Sequence, residues 1–270
     1  MYKIFIAPFL RRLNSETASR IAKRYFRFVG SIPGGRWINR LIHGNRATGL
    51  QKEVFGLNFY NPLGLEAGLD RDANLYNDLN DLGFSFSEIG PLDEEKTKKA
   101  VRNIQIDPQN DILAACIGKD FLRCFTLAYD FCDFFVIETG DEFTEDVIEP
   151  LLSARLTYDE YKPIVVKLRE NAAKSEIKDI VSYCLMNGID GIQTRDKEQT
   201  QVVAELVEGR LPIMANCQAQ SVEEAKELLD MGASLLEIRN GLVYEGPSLV
   251  RKILRHLEAN SKNEKNTDRI

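Results

Sequence analysis

Histidine is scarce in this 270-residue chain, which carries only His43 and His256. Neither lies near another plausible ligand, so a histidine-based metal site or a Ser–His–Asp triad is not expected. The five cysteines, Cys116, Cys124, Cys132, Cys184 and Cys217, form no CxxC pair and are odd in number. That pattern reads as free thiols in a reducing cytoplasm, several of them packed in a core. No apolar run reaches the roughly 18 residues of a spanning helix. The opening MYKIFIAPFL is too short and too early broken for a secretory signal. The GxGxxG fingerprint of a doubly wound dinucleotide fold is missing, and no DNA or RNA motif is present. Glycine is also missing from the loop at 215–220, between an apolar run and a helical pattern. In a barrel or doubly wound fold a phosphate usually lands at such a place, and close backbone approach to phosphate needs glycine.

What is present fits one domain with a sizeable core: 44% hydrophobic residues and 28% charged. The net charge of −6 is unevenly spread. Residues 1–46 hold ten Lys or Arg against one acid, Glu16, so a cationic end sits on an acidic body. This balance favours an anionic membrane surface over nucleic acid as a partner.

Eight β-like runs follow one another, most with a helical pattern behind them. They are NPLGLEAG (61–68), FSFSEIG (84–90), DILAACIG (111–118), DFFVIET (133–139), KPIVVKL (162–168), DGIQT (190–194), LPIMAN (211–216) and SLLEIRN (234–240). The intervening helices show stripes at 3.6 spacing. One is Ile177, Ile180, Val181, Cys184 and Leu185, between Ser175 and Asn187-Gly188; another is Val222, Ala225, Leu228 and Leu229 behind a Ser221/Glu224 capping box. Eight β/α alternations predict a parallel (β/α)8 TIM barrel over residues 47–258. EVFGLNFYNP reads as a short hairpin plugging its bottom. Residues 1–46 read as a basic helical hairpin broken at Gly30–Gly35. Ile21, Ala22, Tyr25, Phe26, Phe28 and Val29 form its apolar face, and Arg20, Lys23, Arg24 and Arg27 its basic face. Two roles stay open for it: packing on the barrel, or lying on a bilayer at the inner face of the cell membrane. The polar segment 259–270 reads as a disordered tail.

The order of basic helical hairpin, small β-hairpin and NPLGLEAGLDRDANLYNDLNDLGFSFSEIG resembles the quinone-linked, membrane-associated dihydroorotate dehydrogenases. IGKD, PIVVKL, GRLPI and MGASLLEIRNGLVYEGPSLVRKIL continue the likeness through most of the chain. The resemblance implies FMN at the C-terminal mouth of the barrel, hydride transfer from dihydroorotate, a base on a loop, and a quinone entering between the N-terminal helices. By the same resemblance, Ala67 and Gly68 let backbone reach the flavin. Arg71 stands where the family has Lys, Lys167 lies beside the flavin's electron-rich edge, Thr194 supplies a hydroxyl, and Gly241 lies near the phosphate.

Other positions depart from that pattern. PLDEEKTKKAVRNIQIDPQN replaces the stretch leading to an orotate-holding loop rich in Asn. Cys116 and Glu138 stand at Asn positions, and the catalytic loop becomes TGDEF, with the base position near Asp141. Arg195 replaces an orotate-binding Asn, the phosphate loop becomes ANCQA, and Arg239-Asn240 replaces Tyr-Ser. Glu138 against a flavin or an anionic orotate is electrostatically unfavourable and calls for a cation, for which Lys167, Arg195 and Arg239 are candidates. The expected function is therefore a degenerate dihydroorotate dehydrogenase-like barrel in which FMN binding is in doubt. A small-molecule ligand at the mouth and peripheral membrane contact are its expected partners. The alternative is an active FMN oxidoreductase, for dihydroorotate or an altered substrate, with Asp141 as base. Cys217 as a reactive thiol is a third reading, opposed by the lack of a histidine to activate it.

Overall fold

A computed structural model describes residues 2, 6–32, 34, 37, 41, 49–108, 111–138, 140, 145–217 and 222–267. Asp141, Ser221 and most of the expected second N-terminal helix lie outside these residues.

Helix α1 (Ala7–Leu10) leads into α2 (Ser15–Ser31), whose first turn is capped by the Asn14 side chain accepting from the Thr17 N–H at 2.8 Å. Strands β1 (Lys52–Val54) and β2 (Leu57–Phe59) pair antiparallel around Phe55-Gly56. Both turn residues have positive φ (57° and 78°), which matches the twist of a two-residue hairpin and which glycine adopts without strain.

The barrel strands are β3 (Leu63–Leu65), β4 (Phe86–Leu92), β5 (Ile112–Ile117), β6 (Phe134–Glu138), β7 (Ile164–Lys167), β8 (Gly191–Thr194), β9 (Ile213–Asn216) and β10 (Leu235–Ile238). Seven fall within the eight runs and β4 runs two residues past its own, to Leu92; they close in the order β10-β3-β4-β5-β6-β7-β8-β9, all parallel. Helices α3 (Tyr76–Asn80), α4 (Glu94–Ile106), α5 (Phe121–Ala128), α6 (Glu145–Arg155), α7 (Lys174–Met186), α8 (Lys197–Val207), α9 (Val222–Asp230), α10 (Asn240–Glu245) and α11 (Ser248–Thr267) surround it. Ser175 does not cap α7; the helix starts one residue earlier, and at its far end Asn187 precedes Gly188 at φ 72°.

Strand residues alternate between the helix-facing core and the barrel interior. The lower interior is apolar: Phe86, Phe134, Val136, Val165, Met214 and Leu235 pack with Val54 and Phe59 of the hairpin. The Phe59 ring lies 5.4 Å from Phe86 and 6.4 Å from Phe134, so the hairpin closes the bottom as its sequence predicts. Gly64 is required here, since a Cβ would come within 2.4 Å of the Phe86 ring.

Helix α2 packs on the barrel through Ala18, Ala22 and Phe26. The packed face is the expected one extended by Ala18: Ile21 and Tyr25 lie partly buried beside it, and of the expected residues Phe28 alone is left exposed, at 66%. The segment expected to be a disordered tail instead continues α11 as far as Thr267. Leu249, Val250, Ile253, Leu254 and Leu257 anchor that helix, and no proline or glycine follows to end it.

Candidate functional site

The upper interior changes character because the last inward residue of nearly every strand is polar. Glu66 lies just beyond β3; Glu88, Cys116, Glu138, Lys167, Gln193, Asn216 and Glu237 come from β4 to β10 in order. Strand register sets Glu138 beside Lys167, Lys167 beside Gln193, and Asn216 beside Glu237. Glu66, Glu88, Lys167, Gln193 and Glu237 are all buried.

The Lys167 ammonium stands 3.5 Å from Glu66 Oε1 and 3.5 Å from Glu88 Oε1. The Gln193 amide donates to Glu88 Oε2 at 2.9 Å and also to Glu237 Oε2. At the rim, Arg195 pairs with Glu138, donates from Nε to the Leu168 carbonyl at 2.8 Å, and approaches Glu66 Oε1 at 3.9 Å. Arg239 donates from Nη1 to the Ala67 carbonyl at 2.9 Å, with Nε 3.7 Å from Glu66 Oε2. Its guanidinium covers Gly68, where an added Cβ would lie 2.5 Å from Nη1.

Burial opposes the charge on Lys167, but Glu88 and Glu66 outweigh it and hold the ammonium above the ordinary lysine range. Burial likewise pushes Glu88 up, yet Lys167 and the Gln193 hydrogen bond bring it below the usual value. Glu237 goes the other way, raised by burial and by the charge of Glu88. Burial and neighbouring Glu88 push the Cys116 thiol well up, so it remains protonated.

Above this layer lies a cleft of about 330 Å³, lined by Ala67, Gly68, Arg71, Pro91, Glu138, Gly140, Lys167, Arg169, Glu170, Arg195 and Arg239. The structure thus brings together four of the expected cofactor residues: Ala67, Gly68, Arg71 and Lys167. Thr194 is turned away, its hydroxyl 2.6 Å from that of Thr200. Gly241 is buried in the first turn of α10 and does not line the cleft. Cys217 is buried. Among the described residues no group of three or more His, Cys, Asp or Glu is placed to hold a metal ion.

A second cleft, of about 180 Å³, joins α2 to the mouth and is lined by Ser19, Arg20, Lys23, Leu69 and Arg71 among others. Beneath it, buried Asp70 accepts the N–H groups of Asn74, Leu75 and Tyr76 at 2.9–3.0 Å. Lys23 reaches across from α2 to Asp72 at 2.7 Å and to Asp70 at 3.7 Å.

Glu66, Glu88, Gln193 and Glu237 were not predicted as site residues. Their sequence signal is a polar residue two places after an inward small or apolar one: Gly64 then Glu66, Phe86 then Glu88, Gly191 then Gln193, Leu235 then Glu237.

No family model matches the chain. Curated relatives do. The dihydroorotate dehydrogenase (quinone) of Christiangramia forsetii is 24% identical over an alignment covering 94% of this chain and 97% of that protein. The enzyme of the same name from Aeromonas salmonicida is 25% identical, covering 92% and 98%. Among solved structures, dihydroorotate dehydrogenase of Eimeria tenella in complex with ferulenol superposes with a TM-score of 0.69 at 18% identity, over 81% of this chain and 85% of that one. The alignment with the Christiangramia protein spans 331 residues against the 270 of this chain. The chain therefore resembles the quinone-linked dihydroorotate dehydrogenases from end to end, as a shortened and divergent relative.

Proposed function

We propose that this chain, a divergent relative of the quinone-linked dihydroorotate dehydrogenases, does not oxidise dihydroorotate. Its mouth is instead held by ion pairs among its own side chains. One observation carries the reading: Arg239 lies over Gly68 and is bonded to the Ala67 carbonyl, on the backbone that the resemblance assigns to the flavin. Lys167, assigned to the flavin's edge, is engaged by Glu66 and Glu88. Glu138 and Arg195, both at positions where the family has Asn, are paired with each other across the rim. Arranged in this way the residues do not fit FMN. A flavin would have to displace Arg239 and leave Glu66 with less positive charge around it, and stranding a buried carboxylate costs about 3–5 kcal/mol. The test is the visible spectrum of the purified protein and its titration with FMN. A colourless protein that takes up no flavin supports the proposal; a flavin band near one per chain overturns it.

A second reading, a flavoprotein with an altered substrate, is favoured by the cleft itself. About 330 Å³ falls within the roughly 300–1,000 Å³ of small-molecule sites, and Ala67, Gly68, Arg71 and Lys167 still meet there. The same titration separates the two readings.

We further infer that the N-terminal segment rests on an anionic membrane surface. Support comes from the exposed Phe28, Ile32, Trp37 and Leu41 in the same segment as the exposed Arg20, Arg24 and Arg27. Among the described residues no helix is long and apolar enough to cross a membrane. Deleting residues 1–46 would uncover the core beneath Ala18, Ala22 and Phe26, so charge reversal is the cleaner experiment. Arg20→Glu/Arg24→Glu/Arg27→Glu is expected to abolish sedimentation with anionic vesicles; unchanged sedimentation overturns the inference.

A further inference from the structure

Three carboxylates, Glu66, Glu88 and Glu237, are buried together inside the barrel, and the ammonium among them is Lys167 alone. Glu66 has further help from Arg195 and Arg239 at the rim. Glu88 has Lys167. Among the described residues Glu237 has no cation within ion-pair distance. Three buried anions without matching cations are not a stable arrangement, because the uncompensated charge neutralises by taking a proton.

The hydrogen bonding points the same way. Of the four buried oxygens in this layer without a hydrogen bond, Glu66 Oε1 and Glu88 Oε1 face the Lys167 ammonium at 3.5 Å, whereas no such cation faces Gln193 Oε1 or Glu237 Oε1 among the described residues. A carboxylate only accepts, so the Gln193–Glu237 side of the layer is short of a donor; a protonated carboxyl group supplies one. Gln193 holds both Glu88 and Glu237 through one amide nitrogen, which brings the two carboxyl groups together. Lys167 sits against Glu88 and so assigns the charge to Glu88, leaving the proton for Glu237.

We propose that the floor of the mouth is a proton site: Glu237 carries a proton in the folded chain, paired with ionised Glu88 and bridged to it by Gln193. The groups facing this pair are Glu66 from β3, Cys116 from β5, Glu138 from β6, Lys167 from β7, Gln193 and Arg195 from β8, Asn216 from β9 and Arg239 from β10. With the proton in place, Lys167 and the two rim arginines face two floor carboxylates and Glu138. Loss of the proton adds an anion with no cation at ion-pair distance among the described residues, beneath the cleft. The site therefore makes the mouth pH-sensitive, loosening it as pH rises.

The sign of the stability effect follows. Unfolded Glu237 titrates near 4.5 and folded Glu237 well above it. Its contribution is complete below 4.5 and is lost as pH rises through the folded value, about tenfold in the folding equilibrium constant per pH unit between the two. Glu88, held below its ordinary value, contributes in the opposite sense: its share is present above 4.5 and is lost as pH falls.

Infrared spectroscopy of the full chain, labelled with carbon-13 in the glutamate side chains, tests this at about pH 7. The label separates glutamates from Asp70, another buried carboxyl whose value burial raises. The expected result is a protonated-carboxyl C=O band that shifts with the label and is absent from Glu237→Gln. The ratio of the folding constant of that variant to the parent's is expected to rise about tenfold per pH unit above 4.5 until the parent's proton is lost. Should Glu237→Gln not fold, the labelled parent decides alone: the band supports the proposal and its absence overturns it. A band that persists in a folded Glu237→Gln, or a variant whose stability runs parallel to the parent's with pH, also overturns it.

Discussion

The two ends of the barrel interior are made by the same eight strands, yet they are held by different forces. At the bottom, Phe59, Phe86 and Phe134 meet edge to face or tilted, with centroids 5.4–6.4 Å apart. That end owes its stability to dispersion and to area removed from water. At the mouth, two strand positions higher, Glu66, Glu88, Lys167, Gln193 and Glu237 occupy the same inward direction. Burying such ions costs about what their attraction returns, so the network adds little net stability while strongly penalising the loss of one member. One end supports the fold; the other defines an electrostatic environment.

The largest expected effect tests the bottom. Phe134→Ala should lower the free energy of unfolding by about 4 kcal/mol, read as a fall in urea midpoint at unchanged slope. A loss under 1 kcal/mol would mean that the hairpin plug is not what holds this end.

The next tests the claim that the mouth is costly to break but not to replace. Lys167→Met strands Glu66 and Glu88 and should cost about 3 kcal/mol. Adding Glu66→Leu and Glu88→Leu to it should restore the parent's stability or exceed it. A triple variant still 3 kcal/mol below the parent would show the network to be stabilising in its own right.

Smaller again is the rim. Arg239→Ala removes the bond to the Ala67 carbonyl and should cost about 1 kcal/mol in the same denaturation experiment. It also uncovers Gly68, so it should bind added FMN more tightly than the parent. Equal flavin binding by the two would remove Arg239 as the closing element.

The comparison also shows which parts of the molecule are legible in sequence. The eight strands are, because a short apolar run between turn signals is a local feature that can be read without knowledge of any other strand. Glu138 also draws attention by itself, as a charge ending an apolar run, and its pairing with Arg195 follows from the need for a cation. The floor of the mouth is different. Glu66, Glu88 and Glu237 are far apart in the chain and become a cluster only when β10 closes against β3. The face of α2 is legible except at two positions: hydrophobicity favours Phe28, which is exposed, and overlooks the small Ala18, which close packing selects. Thr194 is misplaced because a hydroxyl at a strand end has two directions available, and Thr200 offers it a partner in the outer layer.

The smallest prediction concerns the joint between α2 and the mouth. Burial raises Asp72, but hydrogen bonds from Lys23 and Lys99 outweigh it and hold the carboxyl below its ordinary 3.8. The contribution is thus present above 3.8 and is lost as pH falls through the lowered value. Hydrogen exchange should show α2 losing protection before the barrel strands as the solution is acidified. Protection lost together in both would mean that Lys23 and Asp72 do not seat the helix.

The most direct measurement is the visible absorption of the purified chain during titration with FMN. A mouth held by its own ion pairs gives a colourless protein that remains flavin-free at a large excess of FMN. A flavin band approaching one per chain, on isolation or after titration, would contradict that account.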